Sequence, residues 1–89
     1  MNFGQAIDAL KDGKKVCREG WNGKGMWLVL DHGTKGITPR EGSVYAKAGL
    51  KPGTDINPHI DMLTATGEMQ PGWLASQTDM LADDWQVAA

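Results

Sequence analysis

Two stretches gather side chains suited to holding a phosphorylated small molecule that carries a base. The first is Arg18-Glu19-Gly20-Trp21-Asn22-Gly23-Lys24-Gly25-Met26-Trp27. An indole offers a flat face on which a purine stacks. Arg18 and Lys24 supply cationic donors, and a guanidinium grips a phosphate through two parallel hydrogen bonds. Asn22 matches a base edge, and glycines such as Gly23 let backbone N–H groups approach an anion closely. The same run also reads as a tight turn with a core tryptophan, and spacing alone leaves both readings open. It has neither the spacing of a Walker loop nor that of a dinucleotide fingerprint. The second stretch is Pro71-Gly72-Trp73-Leu74-Ala75-Ser76-Gln77-Thr78-Asp79-Met80-Leu81. A helix starting here would present free N–H groups and a positive dipole end to a phosphate. Ser76, Gln77, Thr78 and Asp79 add mixed donors and acceptors around it. The plainer alternative is that Ser76 and Asp79 only satisfy the helix's own first turn.

Covalent and metal chemistry have less to work with. Cys17, His32 and Asp79 could be arranged as nucleophile, base and orienting acid. Cys17, however, follows Val16 in an expected strand, where a small buried residue is the commoner role. His32 and His59 lie 27 positions apart, with no metal-ligand spacing. A single cysteine excludes an internal disulfide and a multi-cysteine zinc site. No catalytic residue, metal ligand or cofactor is therefore assigned. Asp83 and Asp84 read as a solvated turn, and Trp27 and Trp85 as core residues on strands.

The elements that must position these groups follow from periodicity. Phe3, Ala6, Ile7 and Leu10 form one apolar stripe, predicting a helix over 2–12. Asn2 and Gln5 suit a capping box, and Gly13 suits the left-handed position just past the end. Lys14 to Arg18 predict a short strand, and Met26 to Leu30 a central one. His59 to Ala65 and Glu68 to Leu74 predict a hairpin. Ser76 predicts the cap of a short helix with Met80 and Leu81 pointing inward, and Trp85 and Val87 predict a last strand. Residues 31–58, rich in glycine and proline, give no regular pattern beyond a short element at Val44-Tyr45-Ala46. The expected fold class is α+β: an N-terminal helix packed on a small, mostly antiparallel sheet, with a short C-terminal helix.

Composition sets the outer bounds. The chain has 89 residues and 9.6 kDa, 40% hydrophobic and 22% charged, so residues 1–89 are expected to form one globular domain. A chain this short buries only about 60–65% of the surface its unfolded form exposes, which favours oligomers. No apolar run approaches the ~20 residues of a membrane span, and the start lacks the pattern of a signal peptide. The expected compartment is the cytoplasm. A net charge of −2 speaks against a nucleic-acid polymer as partner. All nine Lys and Arg lie between Lys11 and Lys51, whereas Pro52 to Ala89 hold six acids and no base. Such halves can pair within a chain or between subunits.

Three segments resemble a phage and prophage family, the second Thoeris anti-defence family. They are Asn2-Phe3-Gly4-Gln5-Ala6-Ile7, Gly20-Trp21-Asn22-Gly23-Lys24-Gly25-Met26 and the long run from Trp73 to Trp85. The resemblance covers about residues 1–30 and 60–88. It implies a non-enzymatic sponge that sequesters the cyclic ADP-ribose-type signal of bacterial Thoeris immunity, in the host cytoplasm, and leaves it intact. It also implies a homotetramer with ligand pockets between protomers. Some members hold cyclic di- or trinucleotide signals of CBASS immunity at a separate site. Placed on this chain, the ligand residues would be Arg18, Trp21, Asn22, Gly23, Lys24, Trp73, Ser76, Gln77, Thr78 and Asp79. Two other readings stay open: an enzyme that cleaves the signal, needing a base or metal near the pyrophosphate, and a small inhibitor that grips an immune protein through 31–58.

Overall fold

A computed structural model describes residues 1–21 and 25–89. Helix α1, Phe3–Lys11, begins with the expected capping box. The Asn2 side chain accepts from the Gln5 N–H at 2.8 Å, and the Gln5 side chain accepts from the Asn2 N–H at 2.8 Å. Such a cap contributes about 1 kcal/mol. The helix ends where Gly13 turns left-handed, at φ 86°.

Strands β1 (Val16–Arg18) and β2 (Trp27–Asp31) follow, and β3 (Thr34–Ile37), helix α2 (Val44–Lys47) and β4 (Thr54–Ile56) come next. Then come β5 (His59–Leu63), β6 (Met69–Gln70), helix α3 (Gln77–Leu81) and β7 (Trp85–Val87). Five strands form one antiparallel sheet in the order β6-β5-β2-β1-β7, so the apolar run 26–30 is its middle strand, as expected. The fold class expected from the sequence holds: helices plus antiparallel sheets, with α1 packed on the larger sheet.

Register decides which side chains meet the helix. Leu28 pairs with Met62 and Leu30 with Ile60, and these face α1. Ala6, Leu10, Val16, Leu28 and Trp85 are the fully buried apolar residues among those described. Burial of Leu10, Val16 and Leu28 contributes about 1.5–3 kcal/mol each. Side chains alternate along a strand. Trp27, Val29 and Asp31 therefore lie on the other face, opposite Leu63, Asp61 and His59.

That alternation corrects two expectations. Trp85 is core, at 2% exposure, but Trp27 is only partly buried, with the Lys15 ammonium 5.1 Å from its ring centre. Cys17 is likewise only partly buried, because Val16 takes the inward position of β1. Met80 and Leu81 are also corrected. They are exposed, Leu81 at 77%, because α3 is a single short turn held by its cap and by Asp79.

The segment without a clear pattern is an arm. β3 and β4 pair only with each other, α2 bridges them, and no residue between 34 and 56 is fully buried. The molecule is accordingly elongated, 43 × 26 × 24 Å, with a radius of gyration of 15.5 Å. A compact chain of this length has about 12 Å. At the neck the strands approach so closely that a Cβ on Gly33 would lie 2.1 Å from the Ile56 carbonyl oxygen. Gly33 also has φ +75°, so glycine is needed there on both counts.

Candidate functional site

The two nominated stretches meet at one end of the sheet. Ser76 caps α3, its hydroxyl accepting from the Asp79 N–H at 3.0 Å. The cap fixes Asp79 at the third helical position with its carboxylate turned toward β1. There Asp79 Oδ1 accepts from Arg18 Nη1 at 2.8 Å and from the Trp21 indole N–H at 3.1 Å. Arg18 also donates from Nε to Asp84 Oδ1 at 2.8 Å and from Nη2 to Asp84 Oδ2 at 3.4 Å. The Gly20 N–H reaches Asp84 Oδ2 at 2.7 Å. A Cβ on Gly20 would lie 2.6 Å from that oxygen, so the backbone approaches only because residue 20 has no side chain. Asp84 is thus not the solvated turn residue expected: it anchors the guanidinium and the Gly20 turn together.

Above this network sits an aromatic cluster. Trp85 is the hub, with ring centres 5.4 Å from Trp21, 5.5 Å from Phe3 and 6.2 Å from Trp73. Its indole N–H donates to the Asp79 carbonyl at 2.9 Å. Trp73 is tied to β5 by its own N–H, which donates to the Ile60 carbonyl at 2.7 Å. Trp21 and Trp73 lie 6.5 Å apart at 65°, edge to face. Both are partly exposed, and they form a corner, not a parallel slot. A planar base stacked on one ring would meet the edge of the other.

Of the nominated residues, the structure brings together Arg18, Trp21, Trp73, Ser76 and Asp79. Gln77 and Thr78 are exposed in the single turn of α3 beside them. Asn22, Gly23 and Lys24 lie outside the described residues. Arg18 and Asp79 meet each other, so within one chain their first role is to hold Trp21 and α3 in place.

The electrostatics follow. Burial pushes the Asp79 carboxyl upward, but the hydrogen bonds from Arg18, Trp21 and Ser76 outweigh it and hold the group below its ordinary value. Asp84 is held low chiefly by Arg18, against burial, with the Gly20 N–H helping. Both carboxylates raise the Arg18 pKa, Asp84 first. A lowered carboxylate pKa stabilises the fold above the unfolded value near 3.8, and that contribution is lost as pH falls through the folded value. The melting temperature is expected to fall below about pH 4, where these carboxylates take up protons. Asp84→Asn should flatten that fall. A wild-type curve level through the acid range would contradict it.

One feature escaped the sequence reading. A hollow of about 410 Å³ opens on the other face of the sheet, lined by Cys17, Gly25, Met26, Trp27, Gln86, Val87, Ala88 and Ala89. No nominated residue lines it. Strand parity would have found it: once Leu28 faces the helix, Trp27 must face away.

Comparison with known proteins covers the whole chain. The profile of the Thoeris anti-defense 2-like domain matches residues 1–88. A curated relative, Thoeris anti-defense 2 of Bacillus phage SP01, is 33% identical over 93 aligned positions, covering 100% of this chain and 96% of the relative. The match runs through the arm as well as through the two ends that carry the tryptophans and the Arg18 network, and on that extent the chain belongs to the Thoeris anti-defense 2-like domain family.

Proposed function

We propose that the protein is a phage anti-defense sponge: it binds a cyclic ADP-ribose-type immune signal and withholds it, intact, from the Thoeris effector. The observation that carries this reading is the family match across residues 1–88. The geometry supports it in three ways. The Trp21–Trp73 corner offers stacking faces for a purine. The exposed first turn of α3, with Gln77 and Thr78, offers amides and hydroxyls for riboses and pyrophosphate. Arg18 and Asp79 brace Trp21 from beneath, so the corner is ordered before ligand arrives and little ordering is left to oppose binding.

One protomer leaves this corner open. Beside it Leu74 is 90% exposed and Leu81 77% exposed. Two exposed leucines this close in the chain to Trp73 and Asp79 are the apolar side chains that a second protomer would cover. We assign them to the interface of a homotetramer, in which a second protomer closes the corner. Lys24 and Asn22 are proposed to complete the ligand contacts. The hollow beside Trp27, with Lys15 over the indole, is the surface we propose for a CBASS cyclic oligonucleotide.

The functional test is recovery of the signal. Protein loaded with cyclic ADP-ribose isomer is heat-denatured and the released nucleotide is examined. Sequestration returns it unchanged; a cleaved product would favour the enzymatic alternative and overturn the proposal. Trp21→Ala and Trp73→Ala should each weaken binding about 5- to 150-fold, since base–aromatic stacking contributes about 1–3 kcal/mol. Native mass should still show the assembly, and Trp27→Ala should leave this ligand's affinity unchanged. Wild-type affinity in both corner variants would remove the stacking proposal.

A further inference from the structure

The neck of the arm carries a cluster that the site above does not use. Asp31 ends β2, where the chain leaves the sheet, and His59 begins β5, where it returns; the two are direct cross-strand partners. Asp61, two residues on, lies on the same face. The ligand-capable atoms of the three all lie within 4.8 Å of one another.

The hydrogen bonds within the cluster have a direction. The His59 Nδ1 lies 2.6 Å from Asp61 Oδ1, an acceptor that also takes the Gly72 N–H at 3.0 Å. In the neutral imidazole a carboxylate acceptor puts the proton on Nδ1 and leaves the lone pair on Nε2. This is how a metal-binding imidazole is usually oriented, with its second nitrogen donating to a carboxylate. The Nε2 atom then faces Asp31 Oδ2 at 3.9 Å. That separation is too long for a hydrogen bond. It is within the span of two ligand atoms that share an ion at about 2.0–2.2 Å from each. Asp31 is itself oriented, since its Oδ1 accepts from the Gly33 N–H at 2.8 Å.

We propose that Asp31 and His59 bind a divalent transition-metal ion of the zinc class, with Asp61 as the positioning residue, and that the ion clasps the neck of the 34–56 arm. An imidazole nitrogen paired with a carboxylate oxygen selects zinc and its first-row neighbours over magnesium or calcium. Water fills the remaining positions. The linear spacing of the two histidines does not reveal the site, because its ligands come from paired strands. The ion joins the two ends of the arm, so binding stabilises the state in which the neck is closed.

The test is calorimetric titration of zinc chloride into tag-free, full-length protein, with amide hydrogen exchange recorded with and without zinc. One ion per chain is expected, together with slower exchange of amides in 34–56. His59→Gln and Asp31→Asn should abolish the heat, Asp61→Asn should weaken binding about 10–100-fold, and His32→Ala should leave it unchanged. Exchange in the wild-type protein needs no variant, so the test stands even if one fails to fold. Absence of zinc heat, arm exchange indifferent to zinc, or wild-type affinity in His59→Gln would each overturn the proposal.

Discussion

Trp85→Ala is expected to lose about 3–5 kcal/mol of stability, the range for removing a large buried aromatic side chain. For a chain of this length the whole margin is about 4–13 kcal/mol, so the variant should melt at least about 12 °C lower in a circular-dichroism scan. The size of the effect follows from position. Trp85 joins α1 through Phe3, the Gly20 turn through Trp21 and the 71–76 segment through Trp73. Its indole N–H also satisfies the Asp79 carbonyl. Removing it leaves the corner indoles without a common floor, so ligand affinity should fall with stability. Trp85→Phe keeps most of the volume and should recover much of the loss. A Trp85→Ala protein that melts within a few degrees of wild type would show that the core does not depend on this hub.

Asp79→Ala is expected to cost about 2–4 kcal/mol, somewhat below the usual range for breaking a buried ion pair because Asp79 keeps 15% exposure. The carboxylate accepts from Arg18 and Trp21, both partly buried, and its loss leaves, among the described residues, one cation with a single carboxylate partner and one indole N–H with none. Asp79→Asn retains an acceptor for Trp21 but not the charge for Arg18, so it should fall between. Paired with Arg18→Gln in a double-mutant cycle, Asp79→Ala should show coupling above about 1 kcal/mol. Additivity of the two substitutions would mean that the 2.8 Å contact contributes little.

Where local chemistry decides the structure, the residues announced it. The Asn2–Gln5 box, the Gly13 exit and the Ser76 cap each depend on side chains within a few positions, and each is present. The middle strand was legible because an apolar run bounded by glycines has few other fates. What depended on partners far along the chain was not legible. Asp84 looked like a turn residue because Arg18, its partner, is 66 positions away. Trp27 looked like core because a strand's composition does not say which face turns inward; pairing with β1 and β5 decides that. The arm was hidden for a third reason. Its strands contribute no fully buried residue, so no period-two pattern marks them. At the candidate site, the residue types were legible and their geometry was not. The sequence offered two indoles as stacking faces without saying how they meet, and the fold sets them edge to face around a third.

The central claim is that the assembled protein holds a cyclic ADP-ribose-type signal at the Trp21–Trp73 corner without altering it. The most direct test is calorimetric titration of the purified protein with cyclic ADP-ribose isomers, with native mass recorded on the same samples. Saturable binding to a tetramer is expected, with nanomolar affinity, about −12 kcal/mol, weakened about 5- to 150-fold in Trp21→Ala or Trp73→Ala. A tetramer that gives no heat with any isomer, or wild-type affinity after loss of both indoles, would contradict it.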